Sequence, residues 1–317
     1  MTEHMGLVGN PVVDFTIIVE HFPIVPDDNQ KYTARFVTPG GSATTMYLGA
    51  RLGMKMSLLG HMGQDDFGDT WLKLAQQHPN IDVSGVVRLP GKDTSVTVVV
   101  ADPHGHHVFL GTRDWMHHTL AERPAWAAAI HEADVTMVTG WNYRSFGEQI
   151  NLEIFEAARA SGKATFYDAG PEQNFWPKEA AAKMLAMTTV LLLTMEEAQV
   201  ITGRTLPPQD IVQALLDYGP QIVLLKLGGD GNIAASRDGL VRHPGFPVEV
   251  VDTTGAGDAI VAAAGLAYLR GFDLEQFAIF CNAVGAAKVA KLGAGVNAPT
   301  HDEVEAILHH AGINLAF

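Results

Sequence analysis

Apolar runs of strand length alternate with helical patterns along most of the chain, and that alternation limits the fold more than any other feature. The runs are GLVG, KMSLLG, VTMVTG, ATFYDA, TVLLLT and QIVLLKLG. Helical stretches such as SATTMYLGARLG, FGDTWLKLAQQH, NLEIFEAARASG, EEAQVITG and IVQALLDYG follow most of them. Strands that are apolar on both faces belong in a parallel sheet covered on both sides. Strand–helix alternation predicts crossover units rather than hairpins. The predicted fold class is α/β, a three-layer sandwich with a mostly parallel central sheet.

Two segments break the rhythm. Residues 14–38 and 93–111 read as strand pairs with no helix beside them, and DPHGHH is the turn of the second pair. They predict a small β-sheet lid, with 1–13, 39–92 and 112–317 forming the α/β core. The other reading of the same pattern is an edge extension of the main sheet.

Composition narrows the partners. With 317 residues, 47% of them hydrophobic, the chain has ample length for a buried core. A net charge of −14 disfavours broad contact with nucleic acid or an anionic membrane. It leaves room for a local anion site made of oriented N–H groups. The single cysteine, Cys281, allows no internal disulfide. MTEHMGLVGN has no basic segment leading into an apolar one. The apolar stretch after Asp258 ends before the roughly 20 residues that a membrane span needs. A cytoplasmic location, with no nucleic-acid or membrane partner, is the expectation.

The chemistry concentrates in DTTGAGD, residues 252–258. VEVV reads as a strand leading into it, and a helix follows. The first turn of a helix leaves N–H groups unpaired and favours negative charge. Glycines let the backbone approach a ligand closely. The amides of Gly255, Ala256 and Gly257 therefore suit a phosphoryl group in transfer, and Asp258 stands where it can take a proton from an attacking hydroxyl. A helix N-terminus favours the ionised carboxylate, so Asp258 is expected to be a weak base. A capped helix with an acidic first turn is the plain structural alternative. Gly40-Gly41 before a helix also permits close backbone approach, with an ordinary helix entry as the alternative, and Asp14 by itself reads as a solvated strand residue. Gly228 and Gly231 flank Asp230 just past a strand, where α/β sheets gather ligands. The histidines of HGHH (104–107) and of 117–118 read as solvated turn residues rather than a metal set, with no cysteine near them.

These motifs, taken together, resemble the ribokinase-like (PfkB) carbohydrate kinases. DTTGAGD is similar to that family's C-terminal signature. GG followed by a helix ending in ARLG is similar to its N-terminal signature. GHMGQDDFG, VDFT, LKLGGDGN and GAGVNAPTHDEV match further family segments in family order. The resemblance implies an ATP-dependent kinase transferring the γ-phosphoryl group to a sugar hydroxyl, with Asp258 as catalytic base and residues 255–257 as anion hole. It implies Asp14, Gly40, Gly41 and Thr45 at the substrate, with Thr45 standing where the family usually has Asn. It implies Lys226, Gly228, Gly231, Asn282 and Thr194 at the nucleotide, Thr194 again in place of Asn. Glu197 fits the position that holds Mg²⁺ through water, and Asp252 and Thr254 fit an optional K⁺ site. Asp168 ends a strand near the implied site, without the basic residue that usually follows it. The lid's edges imply a homodimer. A nucleoside kinase of the same family and a non-catalytic nucleotide-binding homologue remain as alternatives. A nicotinamide dehydrogenase does not fit, because GLVGNPVVD lacks GxGxxG spacing.

Overall fold

The computed structural model describes residues 2–27, 29–104, 106–111, 119–170 and 175–317. In chain order the strands are β1 (His4–Val8), β2 (Pro11–Val19), β3 (Tyr32–Gly41), β4 (Lys55–Gly63), β5 (Ile81–Asp82), β6 (Val86–Leu89), β7 (Ser95–Ala101), β8 (His107–Gly111), β9 (Val135–Thr139), β10 (Ala164–Asp168), β11 (Val190–Thr194), β12 (Ile222–Lys226), β13 (Asn232–Ser236) and β14 (Gly239–His243). Among the described residues, one 10-stranded sheet has the order β14-β13-β12-β11-β10-β9-β1-β4-β5, with β6 also paired to β4. The predicted runs supply β12, β11, β10, β9, β1 and β4, which lie side by side and are all parallel. β13 and β14 add an antiparallel edge that the pattern of apolar runs did not reveal.

Successive side chains of a strand point to opposite faces, and here they enter two separate cores. Leu7, Leu58, Met137, Phe166, Leu192 and Leu224 pack on one face with the helices Ala43–Arg51, Ala256–Leu269 and Leu274–Val289. Their neighbours Val8, Leu59, Val138, Tyr167, Leu193 and Leu225 pack on the other with the helices Glu148–Ala160 and Pro208–Leu216. Each such fully buried side chain stabilises the sheet by about 1.5–3 kcal/mol relative to exposure. Burial on both faces is what makes these strands read as continuous apolar runs.

The two irregular segments form a second, four-stranded sheet in the order β3-β2-β7-β8. β2 pairs antiparallel with β3 and parallel with β7, and β7 pairs antiparallel with β8. Its strands reach past the expected segment at one end, since β2 begins at Pro11 and β3 runs to Gly41. Asp65 fixes the entry to β7. Its carboxylate caps the helix Asp66–Ala75 by accepting from Gly68 N at 2.8 Å, and it accepts from Thr94 N and Oγ1 at 2.7 and 2.6 Å.

VEVV (248–251) is not a strand. The segment pairs with no strand, and the N–H groups of Val251 and Asp252 both donate to the Val289 carbonyl, at 2.8 and 3.1 Å. The turn that follows is thereby tied to the end of a helix.

Candidate active site

The glycine turn is held open by its backbone geometry. Gly255 adopts φ 77° as the N-cap of the helix Ala256–Leu269, a conformation that favours glycine. A Cβ there would sit 2.9 Å from Thr44 Oγ1. Among the described residues, the N–H groups of Gly255, Gly257 and Asp258 have no protein acceptor. The Ala256 N–H does: it donates to the Thr253 carbonyl at 3.2 Å. The expectation of an Ala256 amide in the anion hole is corrected accordingly, because the tight turn before the helix uses that group itself.

Charged side chains converge on this turn from the carboxyl ends of neighbouring strands, where α/β sheets collect ligand groups. Asp168 ends β10, and Thr194 and Lys226 end β11 and β12 in direct register. Lys226 Nζ bonds Asp168 Oδ1 at 2.7 Å, with both side chains 11% exposed. The same Nζ lies 3.6 Å from where a Cβ of Gly257 would be. A single ammonium therefore bridges the sheet end and the amide turn. Burial works against its charge, but Asp168 and Glu197 prevail and hold its pKa above the usual value. The basic partner that the sequence around Asp168 lacks comes from another strand.

Asp258 follows this turn, partly covered but crowded by protein. Burial, then the Asp168 and Asp14 carboxylates, outweigh Lys226 and Lys288 and push its pKa up to about 7. The expectation of a weak base is overturned: desolvation and like charges exceed the pull of the helix dipole, which is worth at most about 2 kcal/mol. Asp14, whose charge reaches Asp258, projects from the small sheet and is raised to about 6 by burial. Its carboxyl group lies where a Cβ on Gly40 would be, 2.2 Å away, so the glycine at 40 is what lets Asp14 take this position. Gly41 adopts φ 59°.

Other residues singled out in the sequence have tasks within the protein. Thr45 is 1% exposed and its hydroxyl donates to the Asp258 carbonyl at 2.9 Å, so it steadies the helix start instead of facing the cleft. Thr194 and Glu197 form a capping box on the helix Met195–Thr202: Thr194 Oγ1 accepts from Glu197 N at 3.3 Å, and Glu197 Oε2 accepts from Thr194 N at 2.8 Å. Asn282 donates to the His243 and Pro244 carbonyls at 3.1 and 3.3 Å and meets His243 Nδ1 at 3.0 Å. Its amide thereby anchors the loop against which Gly231 packs, where a Cβ would clash with His243 O at 2.1 Å. Gly228 is open and adopts φ 60°. In the lid hairpin, Asp102 accepts from the N–H groups of His104 and His106 at 2.9 and 3.0 Å and pairs with His106 Nδ1 at 2.9 Å. Positions 117 and 118 lie outside the described residues.

The donor set fits Mg²⁺ and does not fit K⁺. Glu197 is half-buried and feels the charges of Lys226 and Asp168, its pKa raised chiefly by desolvation, and hard oxygen donors of this kind suit Mg²⁺. Asp252 is different. Its Oδ1 accepts from Thr254 N at 2.9 Å and its Oδ2 from Gly293 N at 2.8 Å. Burial opposes its ionisation, yet these bonds and the Lys288 charge bring its pKa below the usual value. Both oxygens serve the backbone, and a positive charge is already present. Lys288 was not foreseen from the sequence. A lysine amid the apolar residues of the helix's second half, AVGAAKV, was the available signal.

Comparison with known proteins follows the same lines. The sequence profile described as pfkB family carbohydrate kinase matches residues 5–301. A nucleoside kinase of Methanothermobacter thermautotrophicus is 26% identical over 299 residues, which is 93% of this chain and 92% of that protein. Fructokinase-1 of Oryza sativa subsp. japonica is 27% identical over 322 residues, 95% of this chain and 98% of the other. The structure of Arabidopsis thaliana ribokinase complexed with ribose and ATP superposes with a TM-score of 0.82 at 22% identity, covering 97% of this chain and 99% of that one.

Proposed function

The chain belongs to the pfkB family of carbohydrate kinases, and from that premise we propose that it transfers the γ-phosphoryl group of ATP to a hydroxyl of a sugar or nucleoside. The observation that carries the reading is the pairing of open Gly257 and Asp258 amides with a carboxylate whose pKa is about 7. A base titrating near neutrality is ionised often enough to act and basic enough to accept the proton. Asp258 takes the proton of the acceptor hydroxyl as its oxygen bonds to the γ-phosphorus. The bond from that phosphorus to the bridging oxygen breaks, and ADP leaves. The open amides and the Lys226 ammonium face the charge spread over the moving group, where preorganised donors act most strongly. Mg²⁺ would offset phosphate charge when bound, and Glu197 would hold it through water. Asp14 receives acceptor hydroxyls, and the small sheet closes over them to exclude water. Gly228, open and at φ 60°, lets the nucleotide approach the backbone there, while Gly231 serves the loop's own packing.

Trp141, 58% exposed just beyond the end of β9, offers an indole face to a base or a sugar ring and keeps the nucleoside acceptor in play. An ADP-release assay across sugars and nucleosides tests the reading. We expect turnover with one acceptor class and a loss of at least about 100-fold in Asp258→Asn. Tight ATP binding without turnover on any acceptor would replace it with a non-catalytic nucleotide-binding role.

The outer lid strands expose Tyr32, Phe36 and Val37 on β3 and Val108, Phe109 and Leu110 on β8. Exposed strand edges with apolar side chains favour pairing with a second copy, so we read the protein as a homodimer through the lid. Sedimentation as a monomer at micromolar concentration would refute this. Among the described residues no helix is long and apolar enough to cross a membrane. The one cysteine is buried, and a cytoplasmic location suits an ATP-using chain of this kind, which cell fractionation would test.

A further inference from the structure

Lys288 is the charged group that the phosphoryl-transfer chemistry leaves unused. It lies in the last turn of the helix Leu274–Val289 and is 0% exposed. Among the described residues its ammonium makes one hydrogen bond, a long one of 3.4 Å to the Lys291 carbonyl. A buried ammonium with so few acceptors is costly unless fixed negative charge surrounds it. Burial and Lys291 bring its pKa below the usual value, and the Asp252 and Asp258 charges oppose that fall. Lys291 is itself paired with Glu303 at 2.8 Å. The helix end adds its own negative potential.

The backbone around this ammonium belongs to the active-site turn. Val289, the next residue, accepts the N–H groups of Val251 and Asp252. Asp252 in turn accepts from Thr254 N and Gly293 N. These bonds join three segments, 251–254, 288–289 and 291–293, directly before Gly255, and Lys288 is the charged residue at their junction. Lysine ends in a compact point charge, which is the property a dissolved monovalent cation would bring here.

We propose that Lys288 is a built-in monovalent cation, a positioning residue that balances Asp252 and holds the anion-hole turn without a bound ion. Asp252 has committed its oxygens to the backbone, and the lysine supplies charge without asking for oxygen ligands. The protein should then be indifferent to K⁺, and removal of the side chain should create the need for one.

The test compares KCl with choline chloride at equal ionic strength, reading melting temperature and ADP-release turnover. The turnover arm rests on the kinase reading. The melting arm needs no acceptor, so failure of one is distinguishable from failure of the other. We expect the wild-type protein to melt at the same temperature in both salts and, given an acceptor, to turn over at the same rate. Lys288→Ala should melt several degrees lower in choline, recover saturably with added KCl, and show turnover about tenfold higher with K⁺ than without, the scale of a small misplacement of reacting groups. A wild-type protein stabilised or activated by K⁺ would overturn the proposal, and that measurement needs no variant to fold. So would a folded Lys288→Ala protein that ignores K⁺ in both readouts, which would leave Lys288 as packing only.

Discussion

Asp252 and Asp258 bound the same short turn, and their surroundings drive them in opposite directions. Asp252 accepts two backbone N–H groups and feels Lys288, so its pKa falls despite burial. Asp258 is half-buried, is desolvated by the protein packed around it, feels Asp168 and Asp14, and is raised to about 7. One carboxylate is an element of construction and the other a reactive group held against its preference. The difference lies in hydrogen-bond supply. The first end of the turn points its carboxylate at amides, and the second points its amides into the cleft, leaving the carboxylate without them. A turn that satisfied both acids would be more stable and would have no base.

The largest break in this comparison is Asp258→Asn. Turnover should fall at least about 100-fold, while stability rises at alkaline pH. The folded pKa of about 7 stands above the ordinary value of 3.8, so the stability linked to protonated Asp258 is fully present below about pH 4 and is lost as pH rises through 7. Asparagine stays neutral throughout. The variant should therefore melt above wild type at pH 8, by about 2 °C per kcal/mol relieved, and match it near pH 4. The wild-type kcat/KM profile should show an acidic limb near pH 7. A variant that melts lower at pH 8 would mean that ionised Asp258 is not under strain.

Asp252→Ala should break the other end with the opposite sign. It orphans Thr254 N and Gly293 N, at about 1–3 kcal/mol for each that stays buried. Because the folded pKa of Asp252 is depressed, its contribution is present above the ordinary carboxylate range and lost as pH falls through the lower folded value. The melting temperature should drop at pH 8, and turnover should fall about tenfold through a loosened turn. Asp252→Asn, which keeps an acceptor oxygen, should recover part of both. Equal melting temperatures for wild type and Asp252→Ala at pH 8 would erase the contrast between the two acids.

What the sequence revealed follows from the range of each interaction. The parallel strands were legible because burial on both faces leaves a continuous apolar run, and the turn because glycines beside an acid at a helix start are a local pattern. The Asp168–Lys226 pair was not legible. Its members are separated by 58 positions and meet only because β10, β11 and β12 are neighbours, an order that no local pattern carries. The pKa of Asp258 was misjudged for the same reason: the dipole is local, whereas Asp14 and Asp168 arrive from distant strands. VEVV has strand composition, but its end is tied to the Val289 carbonyl of a distant helix, a contact that no local pattern carries. Lys288 sits in FAIFCNAVGAAKVAKLG, whose apolar residues leave little polar face, and a lysine there has no route to water.

The smallest effect belongs to Thr45, and it separates two roles for that side chain. The hydroxyl donates to the Asp258 carbonyl at 2.9 Å and is shut away from solvent. A helical carbonyl already receives the N–H four residues on, so Thr45 adds a second donor to an oxygen that stays satisfied without it. Thr45→Val keeps the branched shape and removes the donor, leaving no orphaned polar group. The loss should be about 1 kcal/mol, the net worth of one such bond. Relaxation of the first helical turn should lower kcat by a few fold. Acceptor KM should hold, because nothing that touches the acceptor has changed. If Thr45 instead met the acceptor, the signature would reverse, with KM rising and kcat intact. Measuring both constants for Thr45→Val therefore decides whether this threonine serves the substrate or the base.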